Sequence, residues 1–181
     1  MGGNAHRAAP PFCSARIPML AAILLAVAVF IVNLSIQAVA VSALVFVLLP
    51  RMRALALRSP GWGHVALLEA TLLMLLLTTL VQIGIWAALF LGLDEFPAYH
   101  LAFYHSAVNF TTLGYGDIVM SEDARLLGPL EAINGSIMLG LSGATLFATF
   151  GRVARQVHGL PEGPPGGISP QAQAKSESRE T

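Results

Sequence analysis

Four long stretches of the chain contain no Asp, Glu, Lys or Arg, and this pattern constrains the fold more than any other feature. They are residues 17–50, 70–93, 96–116 and 132–151. A charge at bilayer depth is costly, and a membrane-spanning helix needs about 20 apolar residues. Of the 181 residues 55% are hydrophobic and only 11% charged, which excludes a soluble enzyme and a disordered chain. The sequence therefore predicts an integral membrane protein.

Three of the four stretches predict spanning helices. We expect transmembrane helices over residues 17–50, 62–93 and 125–156. A cleaved signal peptide is the alternative interpretation of residues 17–40. The apolar run continues beyond that point, which favours a retained helix.

Polar and aromatic residues predict how two of these helices are placed. Asn33, Ser35 and Gln37 fall in the middle of the first span, so we expect them to face protein rather than lipid. Trp62 and Trp86 flank the second span, and their spacing predicts one tryptophan near each membrane interface.

The third stretch does not fit a simple span, because polar side chains interrupt it and a Gly-Tyr-Gly sequence closes it. A short helix followed by non-helical backbone is tolerated at membrane depth only where it is buried in protein or lines water. We therefore predict a re-entrant pore helix over residues 97–111 and a non-helical segment over residues 112–117.

Residues 111–117 read Thr-Thr-Leu-Gly-Tyr-Gly-Asp, which resembles the selectivity filter of potassium channels. The resemblance extends over residues 65–151 and is closest to small bacterial pore-domain channels, grouped with the two-pore-domain family, here with one extra N-terminal helix. It implies an all-α membrane protein with three transmembrane helices, a re-entrant pore helix and a filter. It also implies a homotetramer, because one filter strand cannot surround an ion.

The resemblance assigns potassium binding to backbone carbonyls of Thr112, Leu113, Gly114, Tyr115 and Gly116, with no other cofactor. Such carbonyls replace the hydration shell of the ion. Directing them to one axis needs backbone of alternating hand, and the two glycines can adopt φ > 0. We expect the Leu113 and Tyr115 side chains to pack against the pore helix. Leu113 stands where the family usually has Val, so a weakly selective cation channel is one alternative and a non-conducting membrane subunit is another.

The filter-support residues implied by the resemblance are Thr111, Asp117, His105 and Glu131. In the family, the residue twelve positions before the aspartate is commonly a tryptophan that donates a hydrogen bond to it. His105 occupies this position, so we hypothesise that external acid alters the filter through its imidazole. The alternative is a packed histidine without a titration role. Glu131 is expected near the rear wall of the filter, hydrogen-bonded or neutral.

Three residues of the last helix are candidates for gating. Gly135 aligns with the hinge position of the family, although close helix packing explains a glycine equally well. Phe147 and Phe150 lie near the opposite end from the filter and are candidates for a hydrophobic constriction. Contact with lipid or another helix is their alternative role.

The arginine distribution predicts the orientation of the chain. The linker over residues 51–61 and the exit of the last helix carry five arginines, and the other side carries three. The positive-inside rule then places residues 1–16 outside and the linker inside, with residues 157–181 as a disordered cytoplasmic tail.

Composition and motifs give the remaining expectations. Nine arginines against one lysine suggest a bacterial inner membrane protein, with lipid as a partner. Zero net charge argues against nucleic acid, and the single Cys13 excludes an intrachain disulfide. No catalytic constellation is present, so we predict no enzyme activity. No sequence feature indicates the gating stimulus.

Overall fold

The computed structural model describes residues 18–51 and 60–157. The predicted N-terminal segment 1–16, residues 52–59 of the predicted linker and residues 158–181 of the predicted tail lie outside the described residues. Their predicted locations stay predictions.

The described residues form four α-helices: α1 (Met19–Ala43), α2 (Pro60–Gly92), α3 (Tyr99–Phe110) and α4 (Leu127–Val157). Three helical segments are long and apolar enough to cross a membrane: Met19–Arg51, Trp62–Gly92 and Leu127–Arg155. The predicted all-α membrane fold with three spanning helices is therefore confirmed.

The first span is not a uniform α-helix. Pro18 has extended backbone (φ −61°, ψ 142°), and α1 begins directly after it. A π-helical turn over Leu44–Leu48 then continues α1, and helical backbone extends to Arg51. A π-turn admits one extra residue and widens the helix locally, and such turns are frequent at functional sites.

The short helix α3 lies between α2 and α4 and packs against both. It begins at Tyr99 after the extended Ala98, two residues later than predicted, and ends at Phe110. Pro97 therefore precedes the helix instead of opening it. The chain then leaves the helix and runs through residues 112–117 without regular structure.

Two apolar clusters hold the bundle together. Residues 112–117 are called the predicted filter segment, and "filter-side" means the end of the bundle next to them. The larger cluster surrounds the filter-side half of α2, where Trp86 and Phe90 are completely buried and their ring centroids lie 5.7 Å apart. Trp86 is thus a core residue of the chain, and its predicted depth near a membrane interface stays a prediction. The smaller cluster joins α1, α2 and α4 at the opposite end of the bundle and contains Leu49, Leu67 and Val153.

A polar contact ties the three spanning helices together between these clusters. Gln82 Nε2 of α2 donates to Gln37 Oε1 of α1 (3.1 Å), and Gln37 Nε2 donates to Ser142 Oγ of α4 (3.2 Å). Asn33 and Gln37 are buried, as predicted. Ser35 is exposed instead, because its hydroxyl donates to the Ile31 carbonyl of its own helix and so tolerates an apolar environment.

Candidate functional site

The backbone alternates in hand along the segment that follows α3. Thr112, Gly114 and Gly116 have φ of 60°, 61° and 69°, and none of the other residues of this segment has positive φ. The positive φ predicted for the two glycines is confirmed. Thr112 was not anticipated, because a β-branched residue at positive φ is a genuine outlier.

Amide hydrogen bonds show which way this segment faces. The N–H of Thr112 donates to the Asn109 carbonyl (2.9 Å), and the N–H groups of Leu113 and Gly114 donate to the Val108 carbonyl (2.9 and 3.3 Å). In a trans peptide unit the preceding C=O points opposite to the N–H. The carbonyls of residues 111–113 therefore point away from α3, into the space beside the bundle.

The outward face of this segment has no cover in the described part of the chain. No described residue donates a hydrogen bond to a carbonyl oxygen of residues 112–116. Leu113 and Tyr115 are 56% and 66% exposed. Both side chains are thus largely uncovered in the single chain, and their predicted packing against a pore helix stays a prediction.

Asp117 is held by Tyr104 rather than by His105. Tyr104 Oη donates to Asp117 Oδ2 (2.7 Å), and the Ile118 amide donates to Asp117 Oδ1 (3.1 Å). The Tyr104 hydroxyl lowers the pKa of Asp117, and the same bond raises the pKa of Tyr104. The predicted His105–Asp117 hydrogen bond is therefore corrected: the side chain thirteen positions before the aspartate makes it, because one residue along a helix turns the side chain by about 100°.

His105 instead supports the backbone beyond Asp117. Its Nδ1 lies 2.8 Å from the Ile118 carbonyl, and its Nε2 lies 2.8 Å from Asn109 Nδ2. A neutral ring that carries its proton on Nδ1 satisfies both contacts, since it donates to the carbonyl and accepts from the amide. Burial lowers the pKa of His105, although the Ile118 carbonyl, Asp117 and Glu95 oppose this shift. The ring centroids of Phe96 and His105 lie 4.9 Å apart, and the two rings are tilted by 43°.

A carboxylate closes the loop that carries the filter segment. Glu95 precedes α3, and it accepts hydrogen bonds from the Ser121 amide (2.8 Å) and the Ser121 hydroxyl (2.9 Å). This pair was not predicted, because the two residues lie 26 positions apart and outside the recognisable motif.

Glu131 is completely buried on α4. Its predicted place behind the filter stays a prediction. Its carboxyl contacts the Ser106 hydroxyl of α3, which also lies 2.9 Å from the Ile83 carbonyl of α2. A hydroxyl has one proton. Both contacts are satisfied when Ser106 donates to Ile83 and a neutral Glu131 carboxyl donates to Ser106. One oxygen of Glu131 has no hydrogen-bond partner among the described residues.

Gly135 lies against the end of α3. A Cβ at this position would overlap the Phe110 carbonyl oxygen and lie 2.7 Å from the Phe110 carbonyl carbon. Close packing therefore explains the glycine, and α4 continues through it unbroken. Thr111 follows directly after α3, and its hydroxyl donates to the Ala107 carbonyl of that helix (2.7 Å). A hinge role for Gly135 stays a prediction.

The other gating candidates lie at the far end of α4. Phe147 and Phe150 are 82% and 57% exposed in the described part of the chain. Their predicted role as a constriction stays a prediction. The described residues contain no group of three or more His, Cys, Asp or Glu that could hold a metal ion through side chains.

Residues 66–154 match the family model described as an ion channel. The matched segment begins in α2, includes α3 and the filter segment, and ends in α4. No match was found among curated proteins or among solved structures. The family match supports an ion channel, and the three spanning helices support a multi-pass membrane protein. From α2 to α4 the chain is thus similar to the ion channel family, in a fold consistent with an all-α membrane ion channel.

Proposed function

We propose that the protein is a potassium-selective channel whose filter is formed by Thr112, Leu113, Gly114, Tyr115 and Gly116 in a homotetramer. The observation that carries this proposal is the alternation of backbone hand from Thr112 to Gly116. It aligns successive carbonyls along one face, and rows of carbonyls can replace the hydration shell of a potassium ion.

The proposed homotetramer is supported by the single row of carbonyls that each chain contributes. A single segment offers one row of carbonyls, whereas an ion in a filter needs oxygens on all sides. The outward-facing carbonyls and the exposed Leu113 and Tyr115 side chains are the surfaces that neighbouring subunits would cover. Four chains about one axis supply the ring.

The helix α3 contributes electrostatically to the same site. Its C-terminal end meets the filter segment, and the C-terminus of a helix carries partial negative charge. In the proposed tetramer, four such ends point towards the central axis and favour a cation below the filter.

The proposed orientation places α3 and the filter on the outer side of a bacterial inner membrane. The arginines of the 51–61 linker, with Arg152 and Arg155 at the end of α4, then lie inside. Asp117 and Tyr104 mark the outer mouth. The N-terminus is outside and the C-terminus inside.

A weakly selective cation channel is the second candidate, and Leu113 is the observation that favours it. Its side chain is one methylene larger than the usual valine, and packed sites respond to changes of this size. The carbonyl row itself contains no side-chain atoms, so the proposal of potassium selectivity is retained.

The experiment is a reversal-potential measurement with the purified protein in a planar bilayer, with potassium on one side and sodium on the other. We expect a value close to the potassium equilibrium potential. A robust current that reverses near zero would instead support the weakly selective channel.

Two variants make the measurement specific to the filter. Gly114→Ala introduces a side chain at φ 61°, where L residues are strained, and we expect it to abolish potassium current. Gly140→Ala is the matched control, because no atom lies within 4 Å of its new Cβ. Equal currents from both variants would overturn the assignment, and silence of the wild type in a correctly assembled tetramer would support the non-conducting subunit.

A further inference from the structure

A groove of about 610 Å³ runs between α1 and α4 in the half of the bundle remote from the filter. Its walls are apolar and include Leu34, Val41 and Leu141. The hydroxyls of Thr145 and Thr149 also line it, but each donates to a carbonyl of its own helix (2.8 and 2.9 Å). The Ser42 hydroxyl also lines the groove, so the groove offers mostly hydrocarbon along its length.

The two ends of the groove differ. Gln37 lines it near the middle of the bundle, where its bond to Ser142 joins α1 to α4. Arg152 lines it at the other end. Arg51 lies beside this end, because Leu49 of α1 and Val153 of α4 belong to one cluster there. Within residues 18–51 and 60–157, neither arginine has an ion pair or a hydrogen bond to a carboxylate.

The length of the groove matches one leaflet of a bilayer. From Gln37 to Leu49, α1 advances about 18 Å at 1.5 Å per residue. Half of a hydrocarbon core about 30 Å thick is about 15 Å. A chain lying in the groove would thus reach from the bilayer midplane to the headgroup level, where Arg152 is exposed.

The π-helical turn contributes directly to the wall. Leu44 and Val45 belong to it, and both line the groove. The irregular part of the first span therefore coincides with the groove, which is where a functional π-turn would be expected.

We propose that this groove binds an anionic phospholipid, with one acyl chain between α1 and α4 and the phosphate at Arg152. A basic group between spanning helices at the cytoplasmic side attracts anionic headgroups. A neighbouring copy of this chain is the other occupant, and a groove that it fills would bind neither class of lipid in preference. The proposal does not rest on ion selectivity, since lipid binding is measured without current.

The test is native mass spectrometry of the detergent-purified assembly, titrated with phosphatidylglycerol and, separately, with phosphatidylcholine. We expect tighter binding of phosphatidylglycerol, by about fivefold for each arginine that contacts the phosphate. Arg152→Gln should remove about fivefold of that preference. Arg125→Gln, at the filter end of the chain, is the matched control and should bind as the wild type does.

A second pair of variants tests the groove itself. Ala148 lines it, so Ala148→Trp should fill it and reduce the number of tightly bound phosphatidylglycerol molecules. Ala88→Trp on the exposed face of α2 should leave that number unchanged. Equal binding of the two lipids, or an Arg152→Gln and an Ala148→Trp variant that both bind like the wild type, would overturn the proposal. Potassium current would be unaffected by such a failure, so the two proposals can fail separately.

Discussion

The two halves of α4 differ in how completely the chain covers them. In the filter-side half, Leu127, Glu131, Asn134 and Met138 are buried, and Gly135 contacts the end of α3. Beyond Met138, Thr149 and Val153 are the buried residues of the described helix, and no atom lies within 4 Å of an added Cβ at Gly140. One chain thus covers the half of α4 next to its predicted filter segment but leaves the far half of α4 open to lipid or other copies.

Alanine substitutions at two glycines of α4 should show the largest difference in stability between its two halves. Gly135→Ala places a Cβ into the Phe110 backbone, which cannot move without displacing the filter segment. We expect a loss of at least ~3 kcal/mol, at the upper end of the cost of overpacking. Gly140→Ala has open space and should stabilise α4 by roughly 0.5–1 kcal/mol, because alanine favours helix more than glycine.

The measurement is the thermal unfolding midpoint of both variants in the same detergent. Wild-type stability of Gly135→Ala would show that α4 and α3 do not meet as described. If Gly140→Ala were as damaging as Gly135→Ala, the far half of α4 would be closely packed in the assembly.

Removal of a hydroxyl tests the polar support of the filter-side half. Ser106→Ala leaves the buried Glu131 carboxyl without its hydroxyl partner. We expect a loss of about 1–3 kcal/mol, the usual cost of an unsatisfied buried group. Ser136→Ala removes a hydroxyl of α4 that is exposed and bonded to its own helix, and it should change stability by less than about 0.5 kcal/mol. Indistinguishable unfolding midpoints for the two variants would contradict this role of Ser106.

Acid should also lower stability, through a group at the filter-side end of the molecule. The expected effect is smaller than that of the substitutions above. Burial lowers the pKa of His105 below its ordinary value of 6.5, so the unfolded chain binds the proton more readily. Stability from the neutral ring is present above pH 6.5 and is lost as the pH falls below it. A proton on Nε2 would oppose the Asn109 amide, although Asp117 and Glu95 partly offset the charge.

The measurement is the unfolding midpoint between pH 7 and pH 5, followed by the rate of current decay in external acid. Glu122 and Arg125 line the cleft beside His105 and are the charged groups that face it from that side. His105→Gln should flatten the pH dependence, since its amide can replace both ring contacts. His100→Gln, an exposed histidine on the same helix, should retain the dependence. Retention by both variants would exclude His105 as the titrating group.

The spanning helices and the backbone of the predicted filter segment could be predicted, because each depends on a run of consecutive residues. The charge-free intervals depend only on the cost of burying charge, and the positive φ of Gly114 and Gly116 follows from the absence of a Cβ. The strained Thr112 had no such signal. Its conformation follows from the amide bonds of the segment to Val108 and Asn109.

Contacts between distant residues could not be predicted. The rotation of α3 about its axis decides whether Tyr104 or His105 contacts Asp117, and the sequence alone does not determine this rotation. The burial of Trp86 was not predicted for the same reason, because an exposed and a buried tryptophan have the same spacing along a helix. The Ser106–Glu131 contact depends on how α3 seats on α4.

The Glu95–Ser121 clamp also has a consequence for insertions and deletions. The clamp fixes both ends of the segment that contains α3 and the filter. Adding one residue between Phe110 and Asp117 would exchange positive and negative φ at every later position of the segment. A residue added after Ser121 leaves the segment intact. Loop-closure entropy rises only slowly with length. Length variation should therefore be tolerated beside the exposed Glu122 and Asp123 and rejected inside the clamp, so that this turn is the place where a tag or a binding epitope can be introduced.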